Sequence, residues 1–423
     1  MFSRIHKSIL ARPSIINGLA MVAVYGANIL VPLITLPYLT RVLGAHVFGQ
    51  VAFITSVVQL AFVCCEYGFH ITGTKNIAIN RNDGDAVRGI VSNIVSAKAI
   101  LSILSSVAYI GYIYVMVPDA IHIGVWGIVF FIGQSFDPFF YYMGMEKIKK
   151  IAAYNVILRL LGAASVYFIV SSPDDAWLYF LANGLSWIAV DAIGLYALHR
   201  EVGISVSVRQ GLQGLKAGWQ VFQTHLSGNI FDMLLPTALL FVSQATAVSY
   251  FVASDKMVRA VWGLLQPLRM LLFPKMAYLV THDRPQARKL LTKASAVLCG
   301  ICLIASVLIF FFAGPLSRLL YGADFGLPTL VVQIMSPLPF LLAANNMIGF
   351  QWLIPVGYEK SFKWLMVACG AWRLGGCYFL AGSYAEAGAA IAVVSSECLI
   401  LVGGLVLFHH SEKSSPPSKT TGH

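Results

Sequence analysis

Charge is scarce in this sequence. Asp, Glu, Lys and Arg make up only 11% of its 423 residues, against about 25% in an ordinary soluble domain. Acids are the rarer sign, 18 against 29 bases, while 58% of the chain is hydrophobic. Such a composition excludes a soluble globular protein, because water cannot solvate that much apolar surface. Long polar loops are also missing: the longest on one face is the stretch from Gly314 to Leu327, too short for an external catalytic domain. The net charge of +11 does not mark nucleic-acid binding, because the bases alternate with apolar runs and form no stripe interleaved with aromatics. All seven cysteines, Cys64, Cys65, Cys299, Cys302, Cys369, Cys377 and Cys398, fall inside apolar runs. Cys299-Gly-Ile-Cys302 has a metal or redox spacing but no second ligand pair, so neither a metal nor a disulfide is expected.

Apolar runs are what the chain has in abundance. A crossing helix needs about 20 apolar residues. Runs of that kind lie near 15 to 39, 51 to 73, 90 to 117, 122 to 144, 151 to 171 and 177 to 199, and again near 221 to 244, 249 to 278, 290 to 313, 328 to 354, 362 to 381 and 387 to 409. The predicted fold is an all-α polytopic membrane protein with about 12 transmembrane helices in two six-helix lobes. Residues 1–14 form an N-terminal segment, 15–199 the first lobe, 200–220 a linker, 221–409 the second lobe and 410–423 a disordered polar tail. With both termini cytoplasmic, 20 of the 29 Lys and Arg fall inside, 2 outside (Arg41 and Arg318) and 7 within spans. That satisfies the excess of bases expected on cytoplasmic loops.

The halves echo each other. Lys75, Asp83 and Arg88 recur as Lys275, Asp283 and Arg288 at a constant offset of 200, and Gly144-Met-Glu146-Lys147 is matched by Gly357-Tyr-Glu359-Lys360. Corresponding loops share a side, so the repeat is parallel, and such repeats usually enclose a central substrate path.

Charges inside spans are costly and mark function or pairing. The cations are Lys98, Arg159, Lys256, Arg259, Arg269, Lys293 and Arg373; the anions are Glu66, Asp137, Asp191, Asp232, Asp255 and Glu397. Lys98, Arg269, Lys293 and Glu66 sit near cytoplasmic ends, where a long side chain snorkels to water. Arg159 and Arg373 follow Glu146 and Glu359 by 13 and 14 residues, which gives each half one arginine at a similar depth. Two readings stand for them: a cationic cavity holding a pyrophosphate through bidentate hydrogen bonds, or Arg–Asp pairs tying helices together. Asp255 and Arg259 are spaced to pair along one helix face, which turns Lys256 elsewhere. Asp137, Asp191, Asp232 and Glu397 are candidates for proton or sodium coupling or for local salt bridges. Tyr141, Tyr142, Trp187 and Trp352 stack on sugars or belong to interfacial belts. No cofactor is expected.

Residues 35 to 49, from Thr35-Leu-Pro37-Tyr38 through Arg41 and Gly44 to Phe48-Gly49, resemble the signature after the first span of Wzx-like O-antigen flippases of the multidrug/oligosaccharidyl-lipid/polysaccharide exporter superfamily. Glu66-Tyr67-Gly68-Phe69, the Gly144-Met-Glu146-Lys147 turn, Gly218-Trp219 and Ala253-Ser-Asp255-Lys256-Met-Val-Arg259-Ala extend the resemblance over residues 15 to about 410. Glu66 replaces an aspartate of that pattern and keeps its charge. The resemblance implies two lobes that alternate access, carrying an undecaprenyl-pyrophosphate-linked oligosaccharide from the cytoplasmic to the periplasmic leaflet of the inner membrane. It also implies a cationic cavity, here Arg159, Lys256, Arg259 and Arg373, with a polysaccharide polymerase and chain-length regulator as partners. Three rivals are less well matched. A membrane glycosyltransferase or polymerase predicts a large external loop, a cationic-drug exporter an acidic cavity, and a lipid II flippase two further spans.

Overall fold

The computed structural model describes the backbone of residues 2–413 and their side chains except at 2–25, 27–30, 33, 149, 150, 220, 224–229 and 267. The tail from 414 to 423, the side chains of Arg4, Lys7 and Arg12 in the 1–14 segment, and that of Pro267 lie outside the described residues. Every regular element among the described residues is helical. In chain order these are α1 (Phe2–Glu66), α2 (Phe69–Asn80), α3 (Gly84–Met116), α4 (Gly127–Ser135), α5 (Phe139–Gly144), α6 (Ile148–Ile169), α7 (Ala176–Val202), α8 (Val208–Val242), α9 (Ala245–Leu264), α10 (Gln266–His282), α11 (Arg284–Phe311), α12 (Ala313–Tyr321), α13 (Thr329–Met335), α14 (Leu338–Asn345) and α15 (Glu359–Lys413). Short helical turns cover Pro118–Gly124, and a π-helix covers Asn346–Leu353.

Two of these are bent rods. α1 breaks at Gly44, whose φ is 68°, and α15 at Ala385, whose φ is 46°. A straight α15 would run about 80 Å at 1.5 Å per residue, far beyond the roughly 30 Å of bilayer hydrocarbon. The break at Ala385 folds it back on itself, so that Gly388 lies against Leu380 and Gly376 against Ala392. Among the described residues seven helices are long and apolar enough to cross a membrane, or eight if Pro118–Gly124 and Gly127–Gly144, bent by 46°, form one span. The expected twelve are not counted among the described residues: most of the first expected span lies among residues whose side chains are not described, Ala385 lies within a helix covering the last two, the seventh shows as the shorter apolar helix Ile230–Val242, and the eighth is split at Leu265.

The chain divides into two compact units: Met1–Ser249 with Tyr321–Gly326, and Tyr250–Leu320 with Leu327–His423. In unit one, α3 packs along α8, α4 on α7, and α6 on both α1 and α7. Its core includes Ile77, Val91, Phe140, Tyr141, Tyr142 and Ile151. Helix α8 runs through most of the stretch expected as a linker and belongs to this unit. Gly211, Gly214 and Gly218, which lie in that expected linker, form its packing face: a Cβ there would meet the Ser96 carbonyl oxygen, the Asn93 carbonyl oxygen and the Tyr67 ring at 3.0, 2.6 and 3.0 Å. Small residues permit that close approach of helices. Just before α8, the backbone N–H groups of Ser205 and Ser207 donate to the hydroxyls of Ser92 and Ser96 on α3.

In unit two, α11 packs on α14, α10 on the π-helix, and α15 on α13 and α14, around Met347, Trp352, Leu353 and Phe362. Residues 410 to 413, expected in the disordered tail, are helical. Arg284 donates to the Ser411 carbonyl at 3.0 Å and Arg288 pairs with Glu412, so the basic start of α11 holds them in place. The repeat seen in the sequence reappears as helix capping. Asp83 accepts from the N–H groups of Asp85 and Ala86 at the start of α3, and Asp283 accepts from that of Gln286 at the start of α11.

Candidate functional site

The first lead is a group of buried charges in unit one. α1 ends at Glu66 because Tyr67 and Gly68 take φ of 51° and 78°. That turn sets the Glu66 carboxylate against α3, where it pairs with the Lys98 ammonium at 2.8 Å and accepts the His70 N–H at 2.6 Å. Lys98 does not snorkel as expected; it is 2% exposed. It lies about 20 Å along α3, and a counter-charge meets it there, which satisfies a buried ammonium better than a stretched stem. Asp137 occupies the break between α4 and α5. Its Oδ1 accepts the Phe139 N–H at 2.9 Å and its backbone oxygen accepts from Lys98 at 3.4 Å.

Two further groups are buried without satisfaction. Asp191 on α7 is 4% exposed, and neither carboxylate oxygen accepts a hydrogen bond of ordinary geometry, although the Phe136 N–H lies nearby. Asn155 on α6 is 1% exposed, and its Oδ1 has no partner. Ile151 against Gly194 and Arg159 over Trp187 fix an antiparallel register that sets Asn155 opposite Asp191. Asn155 carries no charge, so a search for charges passes over it; its position four residues before Arg159, on the same helix face, was the available signal.

Arg159 stacks on Trp187, with Cζ 4.2 Å from the ring centroid. Its Nη1 has no hydrogen-bond partner, and Asp137 is the acid whose charge acts on it. The cluster therefore brings together three acids, Glu66, Asp137 and Asp191, and two bases, Lys98 and Arg159. An arginine donor left open suits a phosphate oxygen. Three unsatisfied oxygens on Asp191 and Asn155 suit a proton or a hard cation. Asp232, the remaining candidate of this unit, is exposed on α8.

Unit two treats its charges differently. Arg373 donates from Nη2 to Glu397 at 2.6 Å and from Nε to the Ser396 hydroxyl at 2.8 Å, while Asn345 donates to the other Glu397 oxygen at 2.7 Å. The pair is buried, with 6% and 7% of the side chains exposed. Asp255 and Arg259 pair at 2.5 Å along one face, as their spacing predicts, and Lys256 is exposed beside them. Arg269 stacks on Trp262 with Cζ 3.7 Å from the centroid, and Lys293 is exposed. Three of the four aromatics considered as sugar platforms have other partners: Tyr141 donates to Glu201 at 2.8 Å, Tyr142 to the Gly194 carbonyl at 2.9 Å, and Trp352 to Ser411 at 3.4 Å. No group of three or more His, Cys, Asp or Glu fit for a metal occurs among the described residues.

The two arginines are not equivalent in the repeat. Before α6 the N–H groups of Glu146 and Lys147 donate to Met143 and Tyr142; before α15 those of Gly357 and Tyr358 donate to Ile354 and Leu353. Glu146 and Gly357 both have positive φ, 56° and 96°. This shared helix end sets the offset at 211 (146 to 357), two fewer than the sequence echo from Gly144 to Gly357. Arg373 and Glu397 then correspond to Gly162 and Ser186, which also touch: a Cβ on Gly162 would lie 2.5 Å from that of Ser186. One helix crossing is thus built from two small residues in the first half and from a buried ion pair in the second.

Comparison with known proteins places this architecture. Residues 15–280 match the family described as Polysaccharide biosynthesis protein. A relative from Escherichia coli (strain K12), named "Putative O-antigen transporter", is 26% identical over 390 residues, covering 91% of this chain and 94% of that protein. Among solved structures, an inward-facing multidrug resistance MATE family transporter of the MOP superfamily superposes with a TM-score of 0.69 at 14% identity, over 91% of this chain and 96% of that one. The lipid II flippase MurJ, in an inward closed conformation, gives 0.64 at 13% identity, over 94% and 88%. The protein is a multi-pass membrane transporter with the MOP superfamily fold, and not an enzyme. It belongs to the polysaccharide biosynthesis protein family.

Proposed function

We propose that the protein is a flippase that moves undecaprenyl-pyrophosphate-linked oligosaccharide repeat units from the cytoplasmic to the periplasmic leaflet of a bacterial inner membrane. It works by alternating access, with both termini cytoplasmic, and supplies O-antigen or another surface polysaccharide. A polysaccharide polymerase and a chain-length regulator act after it. The observation that carries this reading is Arg159, a half-buried guanidinium with one open donor in a chain whose relatives are named O-antigen transporters.

Arg159 meets the pyrophosphate first, and Lys256, Arg259 and Arg373 extend the cationic path as the cycle exposes them. Asp191 with Asn155 takes up the coupling proton or sodium ion; Asp137, Asp232 and Glu397 are secondary candidates for that role. The test is complementation of a strain lacking its own repeat-unit flippase. Arg159→Ala should cut surface polysaccharide at least tenfold at equal membrane abundance, while Arg159→Lys restores part of it. Full polysaccharide from Arg159→Ala would sink the assignment.

A further inference from the structure

We propose that unit two holds a second site, at the interruption of two of its helices, and that this site takes an uncharged, hydroxyl-bearing group: a sugar ring of the cargo. That there is such a cargo rests on the transporter reading above. Each half of the chain breaks the same two helices. At the offset of 200 set by the caps of α3 and α11, Glu66, where α1 ends, corresponds to Gln266, where α10 begins. At the offset of 211 set by the turns before α6 and α15, Asp137, in the break between α4 and α5, corresponds to Ile348 in the π-helix. Interrupted helices commonly house the ligands of membrane transporters. In unit one the two breaks collect the charges of Glu66, Lys98 and Asp137. In unit two the same positions hold Gln266, Leu298 and Ile348, so that charge cluster has no counterpart and a different set of groups occupies the place.

That set is Arg269, Asn346 and Gln351. Helix α10 packs against the π-helix, and Gln351, 2% exposed, donates from Nε2 to the Arg269 carbonyl at 3.3 Å. Its Oε1 accepts nothing. Asn346, one π-turn earlier, likewise has an unbonded Oδ1. A π-helix bonds residues five apart and so brings these two amides toward one face, where an α-helix would set them about 140° apart. On the α10 side of the contact, Arg269 stacks on Trp262, and its Nε–H donates to nothing. Buried orphan groups of this kind are rare in native proteins, because they forgo hydrogen bonds that water would supply. This set has three, of two kinds. The guanidinium repels a metal or sodium ion, and the two carbonyl oxygens repel a phosphate or a carboxylate. A hydroxyl satisfies both kinds, since it donates one hydrogen bond and accepts two. Neighbouring hydroxyls on a sugar ring therefore serve Asn346, Gln351 and Arg269 together.

A site built to bond hydroxyls penalises a ligand that lacks them, because its own groups are then left unpaired. Binding of two probes to the purified full chain in lipid nanodiscs tests this: undecaprenyl pyrophosphate bearing the cell's own oligosaccharide repeat unit, and undecaprenyl pyrophosphate alone. The wild-type protein should prefer the glycosylated probe at least tenfold. Gln351→Leu and Asn346→Leu should each remove most of that preference without changing the affinity for the bare lipid, whereas Arg159→Ala should weaken both probes by the same factor. A melting midpoint near that of the wild type shows that a variant is folded, and Asn346→Leu, at a half-buried position, carries the test if Gln351→Leu does not fold. A wild-type protein that binds both probes alike, or a folded variant that keeps the full preference, would overturn the sugar site and leave the transporter reading standing; ordered water would then be all that these groups bind. Binding of neither probe by the folded wild-type protein would instead defeat the transporter reading.

Discussion

Removing one member of the Arg373–Glu397 pair should destabilise unit two sharply, whereas replacing both should not. The pair is 2.6 Å long with 6% and 7% of the side chains exposed. Glu397→Gln removes the charge that meets this buried guanidinium at 2.6 Å, and breaking such a pair from one side costs about 3–5 kcal/mol. At about 2–4 °C per kcal/mol for a unit of this size, that lowers the melting midpoint by roughly 6–20 °C. Arg373→Met leaves the Glu397 carboxylate with the Asn345 amide at 2.7 Å, so its loss should be the smaller of the two. Arg373→Met with Glu397→Leu substitutes apolar groups of similar volume, an exchange that is commonly neutral or stabilising by about 1–4 kcal/mol. Cys369 and Cys377, buried on the same rod as Arg373, report unfolding through a thiol-reactive dye in detergent. A double variant less stable than Glu397→Gln, or a Glu397→Gln variant melting with the wild type, would refute the reasoning. Polysaccharide export by the stable double variant then separates two roles: normal export makes Arg373 a tie between helices, and lost export makes it a contact for cargo.

Further consequences follow from the same structure. Asp191→Asn should abolish export without lowering the melting midpoint, because it removes a buried charge that has no hydrogen-bond partner; a fall of several degrees would show that the carboxylate is paired. Gly162→Leu drives a side chain into Ser186 and should cost about 1–3 kcal/mol, and unchanged melting would place that crossing further apart than it is. Asp175 is held below its ordinary value of 3.8 by the Ser171 backbone N–H and the Ser172 and Ser171 hydroxyls. A lowered carboxylate value stabilises the folded turn fully above 3.8 and loses that contribution as pH falls through the depressed value. Amide protection at Ser171 and Ser172 should accordingly hold from pH 7 to 4 and fail only below; loss above pH 5 would contradict it.

Much of this was legible in the sequence because membrane segments announce themselves by composition and local spacing. The apolar runs and the Asp255–Arg259 pair depend on residues close together in the chain. What escaped depends on the third dimension. Lys98 looked like a snorkelling side chain because nothing in a linear reading brings Glu66, 32 residues earlier, to the same point in the membrane. The repeat register slipped by two because a left-handed helix end accepts Glu146 in one half and Gly357 in the other, so matching glycine to glycine misleads. The stretch 200–220 was expected as a linker, yet Gly211, Gly214 and Gly218 within it pack against α3 as part of a helix. Asn155 escaped because a neutral amide is ordinary until its neighbours leave its oxygen unbonded.

The fold of α15 bears on how the chain enters the bilayer during synthesis. A lone arginine or glutamate arriving in lipid faces a penalty of about 2.5–3.5 kcal/mol by insertion scales. Arg373 and Glu397 lie on either side of the bend at Ala385 in one continuous segment. The hairpin can therefore neutralise itself while still sheltered by the insertion machinery, handing the membrane a closed dipole in place of two opposite ions. The two rods are in that respect a single unit of biogenesis, and a stop codon or fusion placed between them should leave the first rod reluctant to stay in the membrane.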